Sequence, residues 1–246
     1  MKRQCDDTIK LDSKVKLWDF KTMTAFFVTS TGTDIGKTYV GCGLLSHWRS
    51  KGRKVDAYKP LLSGFNPAQL VESDAGRLLT ALGRPVNADT LDQVSPWRYT
   101  AAISADAAAA KEGKQVEYPA VLAASRLFLQ GAHDVALIEG AGGIMAPLSD
   151  DRTMLDFAVD IQIPAILVVG SYLGTLSHSL TALSIMEAKN VPVALIIMNE
   201  TAGSTVSLAD NALALARRWP ATPVRALPRD ASHQAIAAIA EFLYSG

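Results

Sequence analysis

Cysteine is scarce in this chain: Cys5 and Cys42 are the two among 246 residues. That is too few for a disulfide framework and fits a reducing compartment. Neither stands near a Cys or His at metal-ligand spacing. Net charge is missing as well, because 24 Lys and Arg offset 24 Asp and Glu. Composition therefore gives no electrostatic ground for a nucleic acid or an anionic membrane as partner. No apolar run reaches the length of a membrane span, and Met1 to Lys21 lacks the apolar core of a signal peptide. The expectation is a cytoplasmic protein. His47, His133, His178 and His233 share no ligand or triad spacing, and there is no G-x-S-x-G elbow. Zinc and serine-hydrolase chemistry are left without support.

Hydrophobic residues make up 49% of the chain, enough to fill the core of one large α/β domain. Short apolar runs read as strands at Ala25–Val28, Lys54–Tyr58, Val135–Ile138, Ala165–Val169, Val193–Met198 and Val224–Leu227. Helical patterns fall between them, at Tyr39–Ser50, Glu72–Leu82, Ala101–Lys111, Tyr118–Gln130, Thr175–Lys189, Ser204–Trp219 and Ser232–Tyr244. Gly83 to Thr100, rich in Pro, Asn and Asp, reads as an extended surface excursion. Continuous apolar strands alternating with helices predict a mostly parallel sheet covered on both faces, in a single domain over residues 23–246. Residues 1–22 read as a tail, disordered or loosely docked, with Leu17, Trp18 and Phe20 able to form a satellite contact.

One stretch organises the rest. The run Phe26 to Val28 feeds a loop ending in Gly36-Lys37-Thr38 and then a helix, which is the context a phosphate-binding loop needs. Backbone N–H groups of such a loop and of the helix start converge on one spot. Lys37 adds a point charge for the β- and γ-phosphates, and the Thr38 hydroxyl is a candidate Mg²⁺ ligand. The strict G-x-x-x-x-G-K-[ST] pattern is broken by Thr31, which stands where its first Gly would fall. In parallel sheets ligands gather beyond the strand C-termini. Lys59-Pro60, with Ser63-Gly64 beyond, follows the second strand; Glu139-Gly140-Ala141-Gly142-Gly143 follows the third. Gly170–Thr175, Asn199-Glu200 and Pro228 occupy the remaining ends. Glu139 sits where a P-loop fold places an acidic group near the metal. Asp74, near a helix start, reads as a cap, and Asn199 as a turn residue or a reader of a base edge.

Several separated motifs together resemble the ATP-dependent dethiobiotin synthetases, from about Ala25 to the terminal helix. Phe27 to Thr38 matches Phe-Val-Thr-x-Thr-x-Thr-[Glu/Asp]-x-Gly-Lys-Thr, with Asp34 in the acidic position. Tyr58-Lys59-Pro60 with Ser63-Gly64, Ser73-Asp74, Glu139 to Gly143 with Pro147-Leu148, Leu173-Gly174-Thr175 and Met198-Asn199 follow in the family's order. The resemblance implies a P-loop NTPase-like fold holding Mg·ATP through Thr33, Asp34, Ile35, Gly36, Lys37, Thr38 and Tyr39. It makes Thr38, Asp74 and Glu139 the metal ligands and puts Gly140, Ala141 and Gly142 against the nucleotide. Asn199 would face adenine with Glu200 beside it, and Pro228-Arg229 would close over the nucleotide. It also implies 7,8-diaminononanoate as substrate, Lys59 and Lys37 as catalytic cations, contacts from Ser63, Leu173, Gly174 and Thr175, and a homodimer. Ser30 and Gly32 replace a more familiar Gly and Asp, and Ser177 stands where many members have Asn.

Two rivals come from other classes. A partitioning-type ATPase switch resembles Lys-Gly-Gly-x-Gly-Lys-Thr, whose extra lysine would fall at Gly32. A cobyrinate amidotransferase-like nucleotide domain would need a glutaminase partner, and no Cys–His pair here suggests one.

Overall fold

The computed structural model describes residues 24–229 and 233–245. The expected tail, with Leu17, Trp18 and Phe20, lies outside them. The chain runs β1 (Thr24–Ser30), α1 (Lys37–Ser50), β2 (Val55–Tyr58), β3 (Leu61–Leu62), α2 (Asp74–Ala81), α3 (Ala88–Val94), β4 (Trp97–Arg98), α4 (Ala105–Lys111) and α5 (Tyr118–Phe128). It continues through β5 (Val135–Glu139), β6 (Pro147–Ser149), β7 (Arg152–Thr153), α6 (Met154–Ile161), β8 (Ala165–Gly170), α7 (Thr175–Ala188), β9 (Val193–Asn199), α8 (Leu208–Arg218), β10 (Val224–Leu227) and α9 (His233–Ser245).

Six of the strands form one sheet in the order β10-β9-β8-β1-β5-β2, and every pairing in it is parallel. The apolar runs are continuous because alternate residues fill two cores. In β1, Ala25 and Phe27 pack into one layer while Phe26 and Val28 pack into the other. β5 divides Ala136 and Ile138 from Val135 and Leu137 in the same way, and β8 divides Leu167 from Ile166 and Val168. Helices α4 to α8 cover the first layer, and α1, α2, α3 and α9 the second. Among the described residues no helix is long and apolar enough to cross a membrane.

The expected surface excursion over Gly83–Thr100 is corrected. It contains α3, begun by a capping box in which Asn87 and Thr90 bond each other's backbone, and β4, which pairs with β3. Turn-rich composition hid a short helix whose start is marked by Asn87 itself. The hairpin β6–β7 and α6 had no sequence expectation at all, although Thr153 and Asp156 form another capping box. The largest shifts in helix start are at α4, which begins at Ala105 rather than Ala101, and α8, which begins at Leu208 rather than Ser204.

Because the sheet is parallel, the C-terminal ends of its six strands share one edge. Ser30, Tyr58, Glu139, Gly170, Asn199 and Leu227 end them, and the candidate residues gather there.

Candidate active site

The loop from Thr31 to Gly36 leaves the middle of the sheet, with β5 on one side of β1 and β8 on the other. Asp34 and Gly36 take left-handed backbone, at φ 59° and 100°. Gly36 is the N-cap of α1 and, among the described residues, gives it no side-chain cap, which leaves the first N–H groups of the helix suited to an anion. The next loop lies directly on this one. A Cβ on Gly143 would stand 3.0 Å from the Gly32 nitrogen, and the Ile144 N–H donates to the Ser30 carbonyl at 2.8 Å. Glycines at 140 and 143 are thus explained by packing against β1 and its loop, since a Cβ on Gly140 would meet the Phe27 ring at 3.0 Å.

Ser30, one of the departures from the family pattern, is the hub of that contact. Its hydroxyl lies 2.5 Å from the Gly32 carbonyl oxygen and 3.2 Å from that of Gly142. It also accepts from the Lys37 ammonium at 3.1 Å, while Lys37 donates to the Gly32 carbonyl at 3.3 Å. Burial, with the Lys59 ammonium nearby, brings the Lys37 pKa down to about 8 despite Glu139 and Asp74.

Lys59 is 3% exposed and lines the same cavity as Lys37. Its ammonium donates to Glu139 Oε1 at 2.6 Å and to Asp74 Oδ2 at 2.8 Å. Burial works against that ammonium, but the two carboxylates outweigh it and raise its pKa. Asp74 is the counterpart: burial opposes its charge, yet the Lys59 ammonium bonded to it holds its carboxyl below the usual range. The Thr38 hydroxyl donates to Glu139 Oε1 at 2.6 Å. The cap reading of Asp74 is corrected, because Ser73 caps α2, accepting from the Gly76 N–H, and Asp74 is the first helical residue.

These groups open onto a cavity of about 660 Å³. Of the predicted residues, Thr33, Asp34, Gly36, Lys37, Thr38, Tyr39, Lys59, Ser63, Asp74, Ala141 and Gly142 line it. Glu139 sits beneath, bonded to Thr38 and Lys59. Ile35, Gly140, Leu173, Gly174, Thr175, Asn199, Glu200, Pro228 and Arg229 are outside the lining. Thr175 is buried, its hydroxyl donating to the Gly170 carbonyl, and Leu173 is 87% exposed. Glu200 accepts from the Arg229 N–H at 2.8 Å, so those two share one loop contact beyond β9 and β10. Sequence reading missed Arg77, Leu61, Leu62 and Ile103, all on the cavity wall, and gave Pro147 there no role although it stands in a quoted motif. Arg77 had a signal in its spacing, one helical turn beyond Asp74; Leu61, Leu62 and Ile103 had none.

The depressed Lys37 pKa carries a pH prediction. The fold disfavours the charged lysine, which weakens stability below about pH 8; that penalty is relieved between about 8 and the unfolded value of 10.5. The chain is therefore expected to gain stability from Lys37 as pH rises from 8 toward 10, and Lys37→Met to lose that gain. Denaturant unfolding of both proteins at pH 7, 8 and 9.5 checks it; parallel pH profiles would remove the effect from Lys37.

Residues 24–240 match the AAA domain family. Among curated proteins, the ATP-dependent dethiobiotin synthetase of Phenylobacterium zucineum is 38% identical over 223 residues, covering 90% of this chain and 95% of that one. The ATP-dependent dethiobiotin synthetase of Caulobacter vibrioides is 45% identical over 180 residues, covering 73% and 81%. In three dimensions the MinD cell division protein of Aquifex aeolicus aligns with a TM-score of 0.53 at 14% identity, over 91% of this chain and 97% of that one. The signal recognition particle receptor FtsY of Elizabethkingia anophelis gives 0.52 at 14% identity, over 91% and 66%. Likeness at that identity shows the P-loop fold alone, whereas the curated relatives share far more sequence over most of their length. The chain belongs to the ATP-dependent dethiobiotin synthetases.

Proposed function

We propose that this ligase closes a cyclic urea from 7,8-diaminononanoate, CO₂ and ATP. The observation that carries the reading is the Lys59 ammonium, buried on the wall of the same cavity that begins at the phosphate loop. Plain ATP hydrolysis has no use for it. One substrate amine forms a C–N bond to CO₂ and loses a proton, giving a carbamate anion. A carbamate oxygen attacks the γ-phosphorus and ADP leaves. The second amine then attacks the carbonyl carbon of the mixed anhydride and loses a proton, the carbonyl carbon–oxygen bond to the phosphoryl group breaks, and phosphate departs as the ring closes. Lys59 stabilises the carbamate, and Lys37 the charge gathering on the transferred phosphoryl group. Ser63, on the wall of the same cavity, would contact the substrate, and holding both amines and the phosphate in one cleft supplies much of the rate.

The donor set suits Mg²⁺. Thr38, Asp74 and Glu139 offer hard oxygens at one place. Glu139 Oε2 is buried without a partner among the described residues. Two carboxylates and a hydroxyl are few for an all-protein cage but suit an ion that also binds phosphates and water. These three residues would hold Mg²⁺, which would supply neutralisation of phosphate charge. Leu173 to Thr175 lie outside this chain's cavity and Leu173 is exposed. A substrate contact from the exposed Leu173 and Gly174 would come from a second copy, which is the ground for proposing a homodimer; Thr175, buried on Gly170, would act only by holding that turn. The scarcity of cysteine supports a cytoplasmic setting.

Turnover with diaminononanoate, bicarbonate and ATP, each omitted in turn, tests the reaction; ATP hydrolysis that ignores the diamine would overturn it. For the metal, Glu139→Gln keeps shape and loses charge. It is expected to raise the Mg²⁺ midpoint of activity at fixed ATP by at least about tenfold, since even groups behind the ligands matter by 10–100-fold. An unshifted midpoint would return Glu139 to a purely structural role.

A further inference from the structure

Asn199 lies outside the cavity lining but touches the phosphate loop. It ends β9, a strand separated from β1 by β8. Its backbone is held on both sides, in register with Gly170 of β8 and Leu227 of β10. From that fixed base the carboxamide reaches across, and Nδ2 donates to the Ile35 carbonyl at 2.9 Å. Ile35 is the last residue before Gly36, whose backbone is left-handed at φ 100° and whose neighbour Lys37 starts α1. A Cβ on Gly36 would stand 2.3 Å from Asn199 Nδ2. Position 36 is therefore glycine for two reasons, its backbone angle and the approach of this amide.

The loop is held differently on its two flanks. On the β5 flank it has the Ile144 N–H on the Ser30 carbonyl and the hydroxyl of Ser30. On the other flank the Thr31 N–H donates to the Val168 carbonyl of β8 at 3.3 Å, and farther along, toward β9, the Asn199 carboxamide meets the turn into α1. We infer that Asn199 is a positioning residue for the phosphate loop, fixing the Ile35 carbonyl so that Gly36 presents the first N–H groups of α1 and Lys37 to one anion. The role is separate from any contact with a base. A carboxamide has two N–H bonds and an oxygen; one N–H is committed to Ile35, and the rest stays available to a base edge. The inference rests on the reading above that a triphosphate lies on this loop, and it ties the base side of that nucleotide to its phosphate side.

Two variants test it, Asn199→Asp, which keeps the shape but removes the donor, and Asn199→Ala. The ligand-free readout is hydrogen exchange at the Val40 amide, which bonds the Gly36 carbonyl at 3.0 Å. The second is calorimetric affinity for Mg²⁺-loaded inorganic tripolyphosphate, which has no base, beside that for ATP. In both variants Val40 is expected to exchange faster, and tripolyphosphate to bind roughly three- to tenfold more weakly, the size of one lost hydrogen bond. Unchanged Val40 protection overturns the inference. So does weakened ATP binding with tripolyphosphate unaffected, which would leave Asn199 a base contact only. A chain that never turned over the diamine would leave the exchange result standing, so the two readings fail separately.

Discussion

Lys37→Ala is expected to lower kcat by about 10²–10³ while the chain stays folded. The lysine stands at the start of α1, bonded to Ser30 and the Gly32 carbonyl; on the proposed reading the loop's N–H groups and this ammonium would share one phosphate. Its charge gains value as the phosphoryl group leaves ADP, so the loss belongs to the transition state more than to ATP binding. Stability should not fall with it. The fold already presses this lysine toward neutrality, with its pKa near 8, and removing it also lifts its repulsion of Lys59. Single-turnover kinetics with a melting curve checks both parts. Near-normal kcat with an unchanged melt would strip Lys37 of its role.

The sheet and its edge were readable because the strands obey a period of two inside continuous apolar runs. Phe26 and Phe27 face opposite layers, and either placement buries them. The phosphate loop was readable because Gly36-Lys37-Thr38 follows a strand and opens a helix. What escaped depends on distant partners. Nothing near position 59 shows that the lysine is clamped by Asp74 and Glu139, the latter 80 residues away. Asn199 reaches Ile35 over 164 residues, and strand-end asparagine is ordinarily a turn residue. The glycines after Glu139 suggested a backbone lying against a ligand. Gly142 fits that, but Gly140 and Gly143 are explained by Phe27 and the phosphate loop. The sequence marked Ser30 only as a departure, standing where Gly is more familiar. Its hydroxyl instead joins two loops and the lysine, so a side chain occupies a place where the family pattern has none.

Lys59→Gln should show a different signature from Lys37→Ala, because the two lysines stand in opposite electrostatic settings. Lys59 lies between two carboxylates whose side chains are 37% exposed for Asp74 and 3% for Glu139. Glutamine keeps most of the stem and removes the countercharge. Breaking a buried pair from one side costs about 3–5 kcal/mol, and the exposure of Asp74 to water places this variant toward the lower end. For a chain of this size each kcal/mol is worth about 2–4 °C, so melting should fall by roughly 6–12 °C at neutral pH. The sign with pH follows from the carboxylates. Asp74, held low in the wild type, contributes stability above its unfolded pKa that vanishes as pH falls through its folded value. The gap between the two proteins should narrow toward acid. Mg²⁺ should narrow it too, by taking the charge the ammonium supplied. In catalysis the damage should fall on carbamate, with ATP affinity comparatively intact. Calorimetry with ATP, and trapping of labelled CO₂ on the diamine, separate the two. A variant that binds ATP tens of times more weakly yet traps carbamate normally would make Lys59 a phosphate ligand, and the division of labour between the two lysines would be wrong.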